Sequence, residues 1–287
     1  MAVLHLPSFD LVLATVDREH DLELFLDSLE RQSYRRFRVV LIDQNDDDRV
    51  TRVLAGHSAL EIVPVFSARG LSRARNAGLT ELQSDVVAFP DDDCEYPDDL
   101  LERVAERLAA DSDLGGITGR SADRAGRSSP SWKSDARLLT RTNLWNRGIS
   151  YAIFLRRNIV DEVGAFDEQL GLGSQAPWSS GEEIDFLIRA VSAGARIAYD
   201  PDLVVFHEQK LLSTADRRAL GYRDGESIGY ILRKHRYGPL TLLGMFIRPL
   251  GGALLSLARL DGARARFHLA TLRGRLAGYL GQPAAAR

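Results

Sequence analysis

Short apolar runs alternate with segments of helical periodicity over the first 110 residues of the chain. Runs rich in aliphatic and β-branched residues predict strands over residues 9–15, 38–43, 61–66 and 86–90. Apolar residues at helical spacing predict helices over residues 20–32, 71–82 and 98–110. This alternation predicts an α/β fold, in which a mostly parallel central sheet is flanked by helices. Pro64 restricts the third strand to an edge of that sheet or to an irregular end.

The pattern beyond residue 110 is less regular. Residues 119–143 are polar and rich in Ser and Arg, which predicts a long loop. Further segments are predicted as strands over 148–154, 196–199 and 203–207, as helices up to 163 and over 182–193, and as a glycine-rich loop over 171–181. From Ser213 onward the periodicity is helical. We therefore predict an α/β domain over residues 1–212 and a helical C-terminal region over residues 213–287.

Composition and cysteine content place the chain among ordinary soluble proteins. It has 287 residues, of which 45% are hydrophobic and 27% are charged, so the collagen-like, disordered and disulfide-rich classes are excluded. The single cysteine, Cys94, cannot form an intrachain disulfide and favours a reducing compartment. The first residues, MAVLHLPSFD, contain neither a basic region nor a long apolar core, so we predict no signal peptide.

Charge is distributed unevenly along the chain. The residues from Arg233 onward contain ten Lys and Arg and one acid, Asp261, which gives this part a net charge of +9. Because the whole chain carries −3, the residues before Arg233 carry −12. An acidic body offers no basic groove for nucleic acid, and no nucleic-acid partner is expected. The basic helical region instead indicates contact with an anionic surface.

Residues 239–260 lie within this basic region and are mostly apolar. A membrane-spanning helix needs about 20 uninterrupted apolar residues, whereas Arg248, Pro249 and several glycines interrupt this segment. We therefore predict a pair of basic amphipathic helices that lie in the interface of an anionic membrane. The alternative is a helical pair that packs on the rest of the chain or joins two copies of it in a homodimer.

Acidic and polar residues follow three of the predicted strands. Thr15 to Arg18 follow the first strand, Asp43 ends the second, and Asp91 to Asp93 follow the fourth. The carboxyl ends of parallel strands meet at one edge of a sheet, where ligands bind. Three adjacent carboxylates repel one another, and a divalent cation such as Mg²⁺ or Mn²⁺ would remove that repulsion. A solvated acidic turn that faces a helix N-terminus is the alternative.

Two helix starts carry side chains suited to phosphate binding and proton transfer. Arg75 lies one turn into a helix that begins at Gly70, where the N-terminus and the guanidinium both attract anions. A solvated surface helix is the alternative. Glu182, Glu183 and Asp185 begin another helix behind a glycine-rich loop. A carboxylate there can act as a general base, or the acids can simply stabilise the helix dipole.

Together these segments resemble the motifs of the family 2 glycosyltransferases, which have the GT-A fold. The resemblance covers residues 9–210, and its motifs in chain order are residues 14–18, 43–44, 70–76, 91–93 and 181–185. His207, which ends the run LVVFH, matches a histidine that completes the metal site in many members. The resemblance implies a Rossmann-like sheet and an inverting, metal-dependent transfer of sugar from a nucleoside-diphosphate sugar. The positions that depart from the family's commonest residues are Ala14, Asp17, Gln44 and Glu183.

The resemblance also implies a role for each candidate residue. The residues that would bind the nucleotide sugar are Thr15, Asp17, Asp43, Arg75, Asp91 and Asp92. Asp93 and His207 would hold Mg²⁺ or Mn²⁺, and spacing alone leaves Asp92 as an alternative main ligand. Glu183 would take the proton of the acceptor hydroxyl. The residues that would bind the acceptor are Trp178, Glu182 and Asp185, and interior packing is an equal alternative for Trp178.

The implied donor is a UDP- or dTDP-sugar, and the implied acceptor is a saccharide or a lipid-linked saccharide. The enzyme would then be cytoplasmic and peripheral on the inner face of the cell membrane, in surface polysaccharide or glycolipid synthesis. One alternative is a protein of the same fold that binds nucleotide sugars or acts as a scaffold without turnover. A retaining transferase or a nucleotidyltransferase is the other, and the segment Gly181 to Asp185 argues against it.

Overall fold

The computed structural model describes residues 6–129, 131–208 and 213–281. The strands are β1 (Phe9–Thr15), β2 (Phe37–Asp43), β3 (Ile62–Phe66), β4 (Val86–Ala88), β5 (Cys94–Glu95), β6 (Gly116–Ala122), β7 (Arg137–Leu138), β8 (Ile153–Arg156) and β9 (Ile197–His207). The helices are α1 (His20–Glu30), α2 (Arg49–Leu54), α3 (Leu71–Leu79), α4 (Leu100–Ala110), α5 (Arg157–Val163), α6 (Glu182–Ser192), α7 (Thr214–Lys234), α8 (Pro239–Ala258) and α9 (Gly262–Leu280). The boundary predicted at residue 212, and the first five residues of the N-terminal stretch, lie outside the described residues.

The strands form one mixed sheet with the order β3-β2-β1-β4-β8-β6-β9-β5, and β7 also pairs with β9. Pairing is parallel from β3 through β4, as the alternating pattern predicts, and it is parallel again between β6 and β9. β8 joins the two parts by antiparallel pairing to both β4 and β6. The predicted α/β class is therefore confirmed, with a sheet that is mixed rather than parallel throughout. β3, which contains Pro64, lies at an end of the sheet as predicted.

Burial follows the predicted periodicity in the first part of the chain. All seven residues of β1 are buried, because helices cover both faces of a strand at the centre of such a sheet. α1 buries one face, at Leu22, Phe25, Leu26 and Leu29, where the spacing of three and four residues keeps the side chains on one side. Truncation of such a fully buried leucine to alanine costs about 2–5 kcal/mol. The core therefore fixes the strands whose ends carry the candidate residues.

The long loop predicted over residues 119–143 is wrong at its beginning. β6 continues to Ala122, and six of its seven residues are buried although the run GITGRSA is largely polar or glycine. Gly119 permits the pairing, because a Cβ at this position would collide with the carbonyl oxygen of Leu203 in β9. The two short extended segments predicted near residues 196–207 are one continuous strand, β9. The segment near residue 150 begins with a 3₁₀ turn, Ser150–Ala152, before β8.

The chain divides into two compact units. The first comprises Met1–Arg69, Arg73–Phe166 and Phe186–Gln209, and it contains the sheet. The second comprises Gly70–Ser72, Asp167–Asp185 and Lys210–Arg287. The second unit thus contains α7 to α9 of the predicted helical region, together with the glycine-rich loop.

Helices α7 and α9 of the second unit pack with their backbones close together. A Cβ on Gly225 of α7 would lie 2.5 Å from the carbonyl oxygen of Thr271. A Cβ on Gly274 or Gly278 of α9 would collide with backbone atoms of α7. Glycine at these positions therefore allows an approach that any side chain would prevent.

Candidate active site

The ends of β1, β2 and β4 come together in the first unit, as predicted from their polar residues. A parallel bridge pairs Ala14 with Asp91, which continues the β1–β4 pairing to the first residue of the acidic run. The backbone N–H of Asp17 donates to Asn45 Oδ1 at 2.7 Å, which ties the turn after β1 to the turn after β2. Asn45 was not a predicted site residue, because an isolated asparagine in an acidic turn carries no signal of its own.

The three carboxylates of the acidic run have different surroundings. Asp91 has a side chain that is 30% exposed, and it accepts hydrogen bonds from Arg75 at 3.0 Å and from Ser150 at 3.3 Å. Asp92 is buried and accepts a hydrogen bond of 2.7 Å from the hydroxyl of Thr15. Burial raises the pKa of Asp92 to about 6, and the charges of the adjacent aspartates add to the shift. A solvated acidic turn is therefore not what the structure contains.

Arg18 compensates part of this negative charge. Its Nη1 lies 2.6 Å from Asp92 Oδ1 and 2.7 Å from Asp93 Oδ2. Burial lowers the pKa of the Arg18 guanidinium, but Asp92 and Asp93 outweigh that effect and the net shift is upward. One cation thus already bridges two of the three carboxylates.

His207 meets the acidic run through strand pairing. The antiparallel register of β5 and β9 places His207 opposite Cys94, the residue after Asp93. His207 Nε2 lies 3.2 Å from Asp93 Oδ1. The imidazole also stacks on Tyr151, with ring centroids 5.0 Å apart and planes 6° from parallel. The predicted convergence of Asp93 and His207 is therefore present, whereas the Tyr151 contact has no signal in the sequence.

The predicted nucleotide-binding residues lie near this cluster, but four of them have partners within the protein that the sequence did not predict. Thr15 is buried and its hydroxyl donates to Asp92. Arg75 is 1% exposed and pairs with Asp91, so it is not the solvated helix residue of the alternative interpretation. Asp17 has a positive φ of 56° and pairs with Arg69 at 2.8 Å. Asp43 accepts from the backbone and side-chain amides of Asn45 and does not cap α2, whose N-cap is Asp48.

The predicted base segment lies in the second unit at the start of α6. Gly181, with a φ of 85°, directly precedes the helix. Glu182 is 5% exposed, and its carboxylate lies beside Gly171. Glu183 is half-buried and is the more accessible of the two glutamates. Of these two residues, Glu183 is therefore better placed for contact with a ligand.

Asp185 and Trp178 do not present free surfaces to an acceptor. Asp185 is fully buried, and Lys234 and His235 bind its carboxylate at 2.6 and 2.8 Å. Trp178 is 1% exposed and stacks on Tyr230, with ring centroids 3.6 Å apart. Of the two interpretations of Trp178, the structure favours interior packing. For Asp185, burial argues against the predicted direct contact with the acceptor.

The residues around Asp93 suit a divalent cation. A carboxylate and an imidazole 3.2 Å apart offer oxygen and nitrogen donors of the kind that Mg²⁺ and Mn²⁺ accept. Among the described residues, another group of potential ligands is formed by Asp27, Glu30 and His57, whose ligand atoms lie within 4.8 Å of one another. The sequence did not predict this second group. His57 there pairs with Glu30 at 3.2 Å.

The C-terminal helices carry an exposed apolar face. Leucine and isoleucine side chains of α8 recur at intervals of three and four residues and are 43–85% exposed, at Leu240, Leu243, Ile247, Leu250, Leu254 and Leu257. We call these six residues the apolar face of α8. The buried residues of α8 lie on another side, at Met245, Pro249, Ala253 and Ser256. Among the described residues, α8 is the one helix long and apolar enough to cross a membrane.

Comparison with known proteins identifies the family. The profile described as Glycosyl transferase family 2 matches residues 10–164, which is more than half of the chain. The chain belongs to this family. The matched residues include the strand-end turns, Arg75 and the acidic run, so the family 2 glycosyltransferase resemblance is confirmed.

Several relatives with assigned functions are glycosyltransferases or act in polysaccharide biosynthesis. Glycosyltransferase AglE of Haloferax volcanii is 22% identical over 70% of this chain and 67% of its own length. The succinoglycan biosynthesis protein ExoM of Rhizobium meliloti is 27% identical over 71% of this chain and 67% of its own length. The pre-mycofactocin glycosyltransferase of Mycobacterium tuberculosis is 27% identical, and the chain spans 39% of its length. The chain is thus a glycosyltransferase enzyme.

Solved structures confirm the GT-A fold. The mannosyltransferase PcManGT from Pyrobaculum calidifontis, in complex with GDP-Man and Mn²⁺, has a TM-score of 0.67 at 16% identity, and the similarity covers 96% of this chain and 88% of that one. TarS residues 1–349 from S. aureus, in complex with UDP-GlcNAc, has a TM-score of 0.60 at 16% identity, with coverage of 96% and 92%. At these identities the similarity concerns the fold.

Proposed function

We propose that this family 2 glycosyltransferase moves a sugar from a UDP- or dTDP-sugar to an acceptor hydroxyl, with inversion and with a divalent cation. The observation that carries the proposal is the convergence of Asp91, Asp92, Asp93 and His207 at the carboxyl edge of the sheet. Ligands of open α/β sheets bind at this edge. Complexes of similar folds with GDP-Man and UDP-GlcNAc support a nucleotide-sugar donor.

The first unit would bind the donor. Asp43 and the turn of Thr15 and Asp17 would hold the base, and Asp91 would contact the ribose or the sugar. Arg75 would act partly through Asp91, because its guanidinium is buried against that carboxylate. The same buried positive charge also favours a nearby diphosphate.

Asp93 and His207 would hold the cation, with Asp92 close by. Bound Mg²⁺ or Mn²⁺ would neutralise the diphosphate of the donor and stabilise the charge of the leaving group. Asp92, with a pKa raised to about 6 by burial, gains most from a nearby positive charge. The complex of PcManGT with Mn²⁺ supports a metal-dependent reaction.

Glu183 would act as the general base. In-line attack with inversion requires one carboxylate that takes the proton of the acceptor hydroxyl. Glu183 is half-buried at the first turn of α6, and its neighbour Glu182 is buried, so only Glu183 offers the needed access. Glu182 would contribute to the acceptor site from its buried position beside Gly171. An acceptor contact of Asp185 would have to be indirect.

We further propose that α8 and α9 lie against an anionic membrane, as the sequence predicts. At 100° per residue, the apolar face of α8, together with Gly251, Leu255 and Ala258, spans about 160° of the helix circumference. A dimer seam is narrower and carries charged residues beside it. Arg248 is the one charged residue in all of α8. A lipid surface therefore fits this helix better than a second copy of the chain.

The arginines near α8 support the same partner. α9 exposes Arg264, Arg266 and Arg273, and neither α8 nor α9 contains an acidic residue. Arginine at a membrane interface binds anionic headgroups while its aliphatic part remains in the apolar layer. A cytoplasmic enzyme peripheral on the inner membrane face would then meet a lipid-linked or surface saccharide acceptor.

Calorimetry with nucleoside diphosphates tests the donor site. We expect UDP or dTDP to bind in the presence of Mn²⁺, and the binding to be lost in Asp93→Ala. GDP is included because PcManGT binds GDP-Man. Glu183→Gln should bind the same nucleotide as the wild type. It should release no nucleoside diphosphate from the corresponding nucleoside-diphosphate sugar. Binding that is unaffected by Mn²⁺ and by Asp93→Ala would overturn the metal assignment, and normal turnover of Glu183→Gln would overturn the base assignment.

A further inference from the structure

The loop that leads to Glu183 is held by one helix, α7. Trp178 stacks on Tyr230 with planes 12° from parallel. Two residues later the hydroxyl of Ser180 donates to Asp224 at 3.2 Å. Gly181 follows, and a Cβ at that position would lie 2.7 Å from Cδ1 of Ile231. Of the three α7 residues, Asp224 lies at the middle of the helix, and the adjacent Tyr230 and Ile231 lie about two turns later.

A cluster of polar contacts around the buried carboxylate of Asp185 extends these contacts into α6. Asp185 is fully buried, and its carboxylate binds Lys234 Nζ at 2.6 Å and His235 Nε2 at 2.8 Å. Lys234 also binds Asp167 at 2.7 Å, and the hydroxyl of Tyr230 donates to Asp167 at 3.1 Å. A buried carboxylate without its charged and hydrogen-bonded partners is strongly destabilised. The cluster therefore fixes the first turn of α6 to the end of α7.

The geometry of an α-helix relates this cluster to Glu183. At 100° per residue, Asp185 lies about 200° around the helix axis from Glu183, so the two side chains point to opposite sides. A cluster that holds Asp185 in the interior therefore turns Glu183 outward. Its greater exposure than Glu182 agrees with this orientation.

We propose that Lys234 and His235 are positioning residues for the catalytic base, and that α7 is part of the catalytic machinery. The inference rests on the proposed role of Glu183 as the base. The two side chains would touch neither donor nor acceptor and would act through Asp185. A misplacement of a reacting group by about 1 Å can cost about 100-fold in rate. Removal of either side chain should thus slow the chemical step while donor binding persists.

The test compares Lys234→Met and Lys234→Arg with the wild type in the full chain. The readouts are release of UDP from UDP-glucose, or of GDP or dTDP from GDP-mannose or dTDP-rhamnose, and calorimetric binding of the free nucleotide with Mn²⁺. We expect Lys234→Met to lower kcat at least tenfold with the donor KM and the nucleotide Kd unchanged. Lys234→Arg, which keeps the charge, should recover most of kcat. Arg236→Met, which removes an exposed charge two residues away, is the matched control.

A second variant tests the same inference if Lys234→Met does not fold. His235→Gln keeps a hydrogen-bond donor of similar reach, and we expect a smaller loss of kcat with the same unchanged nucleotide Kd. Wild-type kcat in both variants overturns the inference, as does an equal loss of kcat and nucleotide binding. Glu183→Gln distinguishes a failure of the positioning role from a failure of the proposed base. If that variant is inactive while Lys234→Met is fully active, only the positioning role fails, whereas an active Glu183→Gln removes the proposed base itself.

Discussion

Arg18 shows, at the scale of a single residue, how the acidic run is balanced. Its Nη1 bridges Asp92 and Asp93, and its side chain is 32% exposed. The guanidinium therefore supplies positive charge between the same carboxylates that a divalent cation would approach. The guanidinium and a divalent cation would repel each other at this distance, so each would weaken the binding of the other to the two carboxylates. Metal binding should therefore displace Arg18.

We expect Arg18→Ala to bind Mn²⁺ about tenfold more tightly than the wild type in the absence of nucleotide, which corresponds to about 1.4 kcal/mol. Mn²⁺ titration followed by electron paramagnetic resonance measures the change directly. Arg52→Ala is the charge-matched control, since Arg52 pairs with Glu19 and Asp48 and not with the acidic run. Unchanged or weaker Mn²⁺ binding in Arg18→Ala would show that Arg18 and the metal do not compete.

The sequence predicts which residues meet at the site better than it predicts their partners. Asp93 and His207 are 114 positions apart, yet both follow strand-like runs, so their convergence follows from the fold class. The partner of Thr15 depends on a side-chain distance that no pattern encodes. Ser150 and Tyr151, which contact Asp91 and His207, lie in a short 3₁₀ turn. Neither residue type signals such a role when it stands alone.

Elements with strong periodicity match their predictions closely at the scale of secondary structure. α1 and α4 end or begin within two residues of the predicted bounds, because apolar side chains at helical spacing must share one buried face. β6 was missed because its glycines and hydroxyl residues lack apolar character, although close pairing with β9 requires that small size. α2 has only six residues, too few for a period to appear.

The glycine contacts of α7 and α9 give a prediction at this scale. A Cβ on Gly278 would collide with the backbone of Glu226, so Gly278→Ala must separate the helices. We expect a loss of about 2–4 kcal/mol in the free energy of unfolding, comparable to other overpacking changes of this severity. Urea denaturation followed by circular dichroism measures it. Gly262→Ala, where a Cβ would contact nothing within 4 Å, should be neutral or slightly stabilising.

Asp224 on α7 gives a prediction of pH dependence. Burial raises the pKa of this carboxyl above its ordinary 3.8, even though Ser180 and Arg223 favour the charged form. The folded state therefore binds the proton more tightly than the unfolded state. The stability from this group is fully present below pH 3.8 and is lost as the pH rises through the raised folded pKa.

We therefore expect Asp224→Asn to increase the free energy of unfolding at pH 7, because the amide can still accept from Ser180 and is never charged. The increase should shrink toward pH 4, as the wild-type carboxyl takes up its proton in the folded state. Urea titrations at both pH values measure the difference. A wild type that is more stable than Asp224→Asn at pH 7 would contradict the direction.

At the scale of the whole molecule, charge and apolar surface are segregated along the chain. The residues before Arg233 carry −12 and those from Arg233 onward carry +9. An anionic bilayer repels the first part and attracts the second, so the charges favour contact through the C-terminal helices. The sequence predicts this segregation. Which residues of α8 are exposed could not be predicted, because the packing of α9 decides that.

We expect the protein to bind vesicles that contain phosphatidylglycerol and to bind phosphatidylcholine vesicles weakly. Addition of 0.5 M salt should release part of the protein from the phosphatidylglycerol vesicles. Replacement of Leu243, Leu250 and Leu254 by serine should abolish binding, because it removes the centre of the apolar face. Vesicle flotation measures both effects. The triple replacement of Leu24, Leu138 and Leu172, which are exposed outside α8, is the control.

The same variants distinguish lipid from a second copy of the chain. Sedimentation equilibrium without vesicles should give a monomer for the wild type. A wild-type dimer that the α8 variant dissociates, together with absence of vesicle binding, would assign the apolar face to self-association. That result would leave the proposed transfer reaction unaffected.

Pro64 has a consequence for how the sheet ends. Beside the two ends of β3, the backbone N–H of Ser67 donates to Asp43, and the carbonyl of Glu61 accepts from Val39. The odd-numbered residues therefore direct their backbone hydrogen-bonding groups towards β2. The even-numbered residues, which include Pro64, direct theirs away from β2. A strand added at this edge would need a backbone N–H in the middle of β3, and proline has none. At the opposite end, β5 has only two residues. Among the described residues, neither end strand of the sheet thus offers a long edge for strand addition, which protects the concentrated protein from edge-to-edge aggregation.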